Sequence, residues 1–434
     1  MSSSFKNIPG TFDVLPDTQT TAQDAVPGSP AWQYVEERIR TVMRRYGAEE
    51  IRTPILEHTE LVARGIGQFT DIVSKEMFAF ERGEDRYVMR PEVTAPIMRA
   101  YLQHNLAQRG GVQRLYYVGP CFRAERPQKG RYRQFHQFGL ELIGTDDARA
   151  DAESILVPID VCSELGLTQY TLRINSLGRP EDRNRYRDAL VEYLEPLAGK
   201  LSETSRERLQ SNPLRILDTK DEGEQALLGD APDLWEFVDD ESKAHFDELR
   251  RHLDAADVRY SVDSRLVRGL DYYSRTAFEL EVAGLGAQST LAGGGRYDGL
   301  AVELGSKNPV PAVGFAAGME RLMLALAVGG AALPGTAPAD IFVVALGDAA
   351  RDWCFERVVE WRRSGMNAIY DLKGRSMKAQ MREANRQDAR TVVIVGDDEL
   401  ERGTVVVKDM DSGDQRDVGI DDLMSDLEKR ASSG

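Results

Sequence analysis

Residues 115–144 alternate small or polar side chains with apolar ones, pause in a basic loop, and alternate again. Gly119, Cys121, Arg123 and Glu125 fall on one face of the first arm, opposite Val118 and Phe122. Gln137, Gly139 and Glu141 share a face of the second arm, opposite Phe138, Leu140 and Leu142. A period of two with one apolar side is the pattern of a half-buried antiparallel pair. Its polar faces set an arginine, a glutamine and two glutamates side by side over an apolar floor. Pro127 and Gly130 turn the loop, which carries Arg126, Lys129, Arg131 and Arg133. Five basic residues against two acids make the stretch +3 in a chain of net charge −16. A local reversal of that size calls for an anionic partner.

At 434 residues the chain has room for roughly two to four domains with sizeable cores. No apolar run approaches the roughly 20 residues a membrane helix needs, so no membrane association is expected. No basic segment followed by an apolar stretch opens the chain, so no secretory signal is read. Cys121, Cys162 and Cys354 form no C-x-x-C pair and the five histidines no H-x-x-x-H pair. Disulfide scaffolding and a dedicated metal site are therefore not expected, and the protein reads as cytoplasmic. Only 11 of the 55 basic residues are lysine, and an acidic, lysine-poor surface fits a high-salt cytoplasm. The same charge argues against non-specific nucleic-acid binding, leaving that task to local basic patches.

Along the chain, 31–46 carries the apolar stripe Val35, Ile39, Val42 and Met43 of an amphipathic helix ended by Gly47. Residues 51–57 read as a short edge strand containing Pro54, with or without a partner. Residues 77–80 and 87–89 form a hairpin, followed by a helix that reaches Ala107. Arg90, Glu92 and Thr94 cluster where strand gives way to helix, suited to an ammonium group or to plain helix capping. Residues 177–258 are charged and helical, and read as an inserted helical subdomain between chemically loaded stretches. In 259–282, Arg268-Gly269-Leu270-Asp271-Tyr272-Tyr273 interrupts a strand pattern with polar groups that need a ligand or, as an Arg–Asp pair, one another. Residues 293–299 read as a tight glycine loop, either approaching a small ligand or turning a sharp hairpin. Arg321 lies near a helix start suited to phosphate, or stands exposed there. After a Gly/Ala/Pro linker, strands and helices alternate as in a small three-layer α/β domain with a largely parallel sheet. Arg375, Lys378, Arg382 and Arg386 share one face of its middle helix, either solvated or a nucleic-acid contact.

Together these stretches resemble the class II aminoacyl-tRNA synthetases, and most closely the histidyl-tRNA synthetase family, over nearly the full chain. Phe122-Arg123-Ala124-Glu125 with the hairpin is similar to the second class motif, residues 314–324 to the third, and Arg52-Thr53-Pro54 to the first. Leu266-Val267-Arg268-Gly269-Leu270-Asp271-Tyr272-Tyr273 with Gly294-Gly295-Arg296-Tyr297-Asp298 is specific to the histidine branch. The resemblance implies an α+β catalytic domain, 1–330, built on an antiparallel sheet and interrupted by the helical insertion 177–258. A linker 331–339 and an anticodon-binding α/β domain 340–434 would follow. It also implies ATP-dependent ligation of L-histidine to tRNA(His) through a histidyl-adenylate, releasing AMP and diphosphate.

By the same resemblance, Arg123 and Arg268 flank the ATP α-phosphate and are the catalytic pair. Glu125 holds the adenine edge and Arg321 the γ-phosphate. Glu92 and Thr94 bind the histidine ammonium, Gln137 lies near the amino acid's polar end, Glu141 and Tyr273 hydrogen-bond the two imidazole nitrogens, and Tyr272 is also histidine-binding. Arg126, Lys129, Arg131 and Arg133 would meet the tRNA acceptor end. Mg²⁺ would arrive on the ATP phosphates with no dedicated protein site, and the enzyme would be a homodimer joined near Pro54. The chain departs from the family pattern in Val93, where glycine is common, and in Ala124, where a polar residue is usual. Non-catalytic relatives that bind histidine lack the C-terminal domain, which this chain keeps.

Overall fold

The computed structural model describes residues 5–16, 26–67, 70, 72–128, 130–217, 219, 221–267, 270–282, 285 and 289–431. The chain divides into two units, Met1–Gly335 and Thr336–Gly434. The first opens with helix α1 (Ser29–Arg45), whose stripe Val35, Ile39, Val42 and Met43 is wholly buried. Two short strands, β1 (Glu49–Glu50) and β2 (Leu56–His58), replace the single strand expected over 51–57. Pro54 falls between them, where its missing N–H breaks no ladder. Helix α2 (Thr59–Ile66), the hairpin β3 (Phe78–Arg82) and β4 (Asp85–Met89), and helix α3 (Thr94–Gln103) follow. α3 stops short of Ala107, and a 3₁₀ turn, Leu106–Arg109, covers that residue.

Strands β5 (Gln113–Phe122) and β6 (Gln134–Ile143) pair antiparallel over ten residues, from Gln113 opposite Ile143 to Phe122 opposite Gln134. Next come α4 (Ala148–Glu164), β7 (Tyr170–Ser176), α5 (Pro180–Leu194), α6 (Glu203–Ser211), α7 (Glu222–Leu227) and α8 (Asp240–Ala255). Strands β8 (Ser261–Val262), β9 (Ser274–Val282) and β10 (Thr290–Arg296), helix α9 (Leu300–Glu303), strand β11 (Ala312–Gly318) and helix α10 (Met319–Val328) complete the unit. The sheet runs β1-β5-β6-β11-β10-β9-β7-β8, antiparallel except at its two parallel edges. Gly293, Gly294 and Gly295 are strand interior rather than the expected loop. A side chain at Gly294 would place its Cβ 2.2 Å from the Gly314 carbonyl oxygen, so glycine lets β10 and β11 pack.

Strand alternation divides the buried side chains into two cores, one on each sheet face. Phe138, Leu140 and Leu142 face α1, α4, α8 and α10. Leu115, Tyr117 and Cys121 face α3 and the helical stretch, whose Tyr186, Leu190, Leu194 and Ile216 complete that core. The expected insertion 177–258 therefore packs on both faces, because Phe246, Leu249 and Leu253 of α8 join the first core.

The second unit alternates β12 (Ile341–Leu346), α11 (Asp348–Arg363), β13 (Ala368–Tyr370), α12 (Met377–Arg386), β14 (Thr391–Gly396), α13 (Asp397–Glu401), β15 (Thr404–Asp409), β16 (Gln415–Gly419) and α14 (Ile420–Ala431). Its sheet is only half parallel: β13-β12-β14 run together, whereas β15 and β16 add as an antiparallel meander. Ile341 and Val343 face α11 and α14, and Phe342 and Val344 face α12, giving three layers. Arg375 precedes α12 instead of joining its basic face. Its N–H and Nε both donate to the Asp371 carboxylate, at 2.8 and 2.6 Å, which holds it in the turn before the helix. Arg386 pairs with Glu383.

Candidate active site

A cavity of about 200 Å³ opens over the second face of the large sheet. β5 and β6 bring Gln137 to it, and the loop between them brings Arg123, Glu125 and Arg131. The turn before α3 supplies Glu92 and the first residue of α3 is Thr94, the loop before β9 supplies Tyr272 and Tyr273, and α10 supplies Glu320 and Arg321. Segments from the whole first unit thus converge on one hollow.

At one end Glu92 is buried and accepts the N–H groups of Thr94 at 2.7 Å and Ala95 at 3.0 Å, capping α3. Burial raises its carboxyl above the ordinary range, while those two N–H bonds pull it back. The Thr94 hydroxyl donates to Glu141 at 2.7 Å, and the Tyr297 hydroxyl donates to the other Glu141 oxygen. Glu141 is 1% exposed and stands one hydrogen bond behind the cavity wall. Burial pushes its carboxyl up to about 8 despite both hydrogen bonds, and the charge of Glu92 adds to the rise. Gly314, opposite Glu141 in the ladder, leaves the room: a Cβ there would stand 1.8 Å from Glu141 Oε2. The Tyr272 and Tyr273 rings meet tilted at 50° with centroids 4.6 Å apart, and Gln137 accepts the Cys121 thiol at 3.4 Å.

The other end is cationic. Arg123 donates Nε to the Pro91 carbonyl at 3.0 Å and lies 5.3 Å from the Phe135 ring centroid. Arg321 donates Nε to the Gly130 carbonyl at 3.2 Å and Nη1 to that of Thr290 at 2.7 Å. These carbonyl bonds aim both guanidiniums, and Arg123 also lies 3.8 Å from the Glu125 carboxylate. Burial, then the charges of Arg131 and Arg123, lower the Arg321 pKa, while Glu125 opposes them. Mutual repulsion among three guanidiniums is relieved by an anion between them. Arg131 reaches Glu125 at 3.2 Å.

The other basic loop residues are dispersed. Arg126 is exposed, while Arg133 donates to the carbonyls of Glu125 and Pro9 and takes the Gly10 carbonyl on its N–H. Arg268 and Lys129 lie outside the described residues. Among the described residues no group of three or more His, Cys, Asp or Glu side chains could hold a metal ion, and no helix is long and apolar enough to cross a membrane.

Two residues at the site escaped the sequence reading. Tyr297 sits in a quoted motif, but its contact with Glu141 depends on strand pairing. Glu320 lines the cavity and accepts the His136 N–H with both oxygens, at 2.9 and 3.0 Å. An acidic residue beside Arg321 in the first turn of a helix was the available signal.

A Histidyl-tRNA synthetase family model matches residues 27–322, and an Anticodon binding domain model matches residues 340–430. The Histidine--tRNA ligase of Chloroherpeton thalassium is 46% identical over 430 residues, 98% of each chain. That of Geobacillus thermodenitrificans is 46% identical over 413 residues, 94% of this chain and 97% of its own. The crystal structure of apo S. aureus histidyl-tRNA synthetase is similar with a TM-score of 0.80 and 34% identity, covering 98% of this chain and 100% of that one.

Proposed function

This chain belongs to the histidyl-tRNA synthetase family, and from that premise we propose that it joins L-histidine to tRNA(His) in two steps. The observation that carries the reading is the convergence on one cavity of the guanidiniums of Arg123, Arg131 and Arg321 with Glu92, Thr94, Gln137 and Tyr273. In the first step the histidine carboxylate attacks the α-phosphorus of ATP in line, and diphosphate leaves with the bonding electrons. The attacking carboxylate is already ionised, so the step needs no general base. Charge growing on the phosphoryl oxygens is stabilised by Arg123, with Arg268 assigned from sequence to the opposite side and Arg321 at the γ-phosphate. Glu125 takes the adenine edge.

Glu92 and Thr94 support the ammonium group, and Gln137, Tyr272 and Tyr273 favour an imidazole, with Glu141 acting from behind through Thr94. Polar groups left unpaired by an apolar isostere would reject it strongly. Mg²⁺ would arrive on the ATP phosphates rather than on a dedicated protein site, and would offset phosphate charge when bound. In the second step a ribose hydroxyl of the 3′-terminal adenosine attacks the adenylate carbonyl and AMP leaves. Arg126, Lys129, Arg131 and Arg133 would meet the acceptor end, and the domain 340–434 the anticodon. A homodimer would close over the sheet β2-β4-β3, where Leu56 is 50% and Phe80 43% exposed.

The decisive assay is histidine-dependent exchange of labelled pyrophosphate into ATP by purified, folded protein. Exchange with histidine alone among the amino acids is expected, and its absence overturns the reading.

A further inference from the structure

Behind the cavity lies a second, smaller pocket walled by Leu177, Leu214, Leu234 and Val267, and Leu270 lines both. The next residue, Asp271, is held from two sides. From the helical stretch, Arg183 of α5 donates Nη1 to the Asp271 carbonyl at 3.2 Å. Asn212, capping the C-terminus of α6, donates Nδ2 to the Asp271 carboxylate, also at 3.2 Å. From the opposite side, the Asp271 N–H donates to the Ile66 carbonyl at the end of α2, at 3.1 Å. Gly67 follows with φ +103°, and a Cβ there would stand 2.2 Å from Asp271 Oδ2, so glycine alone permits this approach.

Tyr272 and Tyr273 come directly after this anchor and line the substrate end of the cavity. Tyr272 lies 5.6 Å, centroid to centroid, from Tyr297, the partner of Glu141. Neither Arg183 nor Asn212 lines the cavity, so neither would touch substrate.

We propose that Arg183 and Asn212 are positioning residues for recognition of the amino acid: the helical stretch clamps Asp271 against α2 and thereby fixes the tyrosine pair. The proposal rests on the reading of the site given above. Three hydrogen bonds on one loop residue remove backbone freedom before substrate arrives, so binding does not have to order the loop.

Hydrogen–deuterium exchange on the full-length chain, read by mass spectrometry, tests the clamp without reference to activity. In Asn212→Ala the amides of 270–273 should exchange about tenfold faster, with those of β6 and β11 unchanged. Unchanged loop protection overturns the clamp. Pyrophosphate exchange then reads its role. Asn212→Ala should raise KM for histidine roughly tenfold, as expected for one hydrogen bond to a charged acceptor, and shift KM for ATP by less than about twofold. Arg183→Lys, which keeps a cationic donor, should retain most of the wild-type KM that Arg183→Ala loses. Equal change in both KM values with faster exchange throughout the molecule would make the residues general supports and overturn the positioning role. A wild-type protein with a protected loop that Asn212→Ala exposes, yet no pyrophosphate exchange, would sink the adenylation reading and leave the clamp standing.

Discussion

Tyr297 and Glu141, 156 residues apart in sequence, share a hydrogen bond in which both side chains are about 99% buried. Tyr297 donates, and Glu141 spends its second oxygen on Thr94 at the cavity wall. The motif around β10 therefore reaches the cavity wall through a residue that supports another. Tyr297→Phe leaves one Glu141 oxygen without its donor. It should destabilise the fold by about 1–3 kcal/mol and raise KM for histidine, measured by urea unfolding and pyrophosphate exchange. An unchanged KM would confine Tyr297 to stability.

The Glu141 carboxyl titrates near about 8 in the fold and near ~4.3 in the unfolded chain. Between those values the fold holds a proton that the unfolded state has lost. Its contribution to stability therefore declines as pH rises from about 4 to about 8 and then levels off. Glu141→Gln removes this dependence. The melting temperature of the wild type relative to Glu141→Gln should fall between about pH 4 and pH 8; parallel curves would mean that Glu141 is ionised throughout.

Arg321 is repelled by Arg123 and Arg131 across the cavity. Arg321→Ala should lower kcat for pyrophosphate exchange roughly 10²–10³-fold, the cost typical of one lost transition-state donor, with little change in KM for histidine. Arg321→Lys should recover little, because a point charge cannot reproduce the fork that reaches Gly130, Thr290 and an anion together. Full activity in either variant would remove Arg321 from the phosphate site.

Arg296 of the same motif is wholly buried and bound to Asp151 of α4, with Asp298 and the Thr145 carbonyl nearby. Burial opposes ionisation of Asp151, but Arg296 and His245 outweigh it and hold the carboxyl at about 2. Asp151→Ala leaves a buried guanidinium poorly compensated and should cost about 3–5 kcal/mol in urea unfolding. A loss below about 1 kcal/mol would mean that Asp298 and the carbonyls suffice.

Leu56 and Phe80 expose apolar surface on the face of the sheet β2-β4-β3 opposite Val88, whose own side α2 covers. Phe80→Glu should halve the mass observed by light scattering at low micromolar concentration. An undiminished dimer, or a monomeric wild type, would move or remove the proposed interface.

Local periodicity determined much of this protein. The ten-residue pairing of β5 with β6, the buried stripe of α1 and the alternating strands of the second unit follow from residues close together in the chain. The motif residues Arg123 and Arg321 were legible because their neighbours set them at strand and helix ends. Only tertiary structure decided the rest. The glycine run became a strand because β9 and β11 press on it, and Arg375 left its helix because Asp371 captured it first. Glu141 lost contact with the cavity to Thr94 and Tyr297, and the helical stretch gained a hold on Asp271. Each depends on the register in which distant segments meet, and a period read along one segment carries no information about its partner across the sheet.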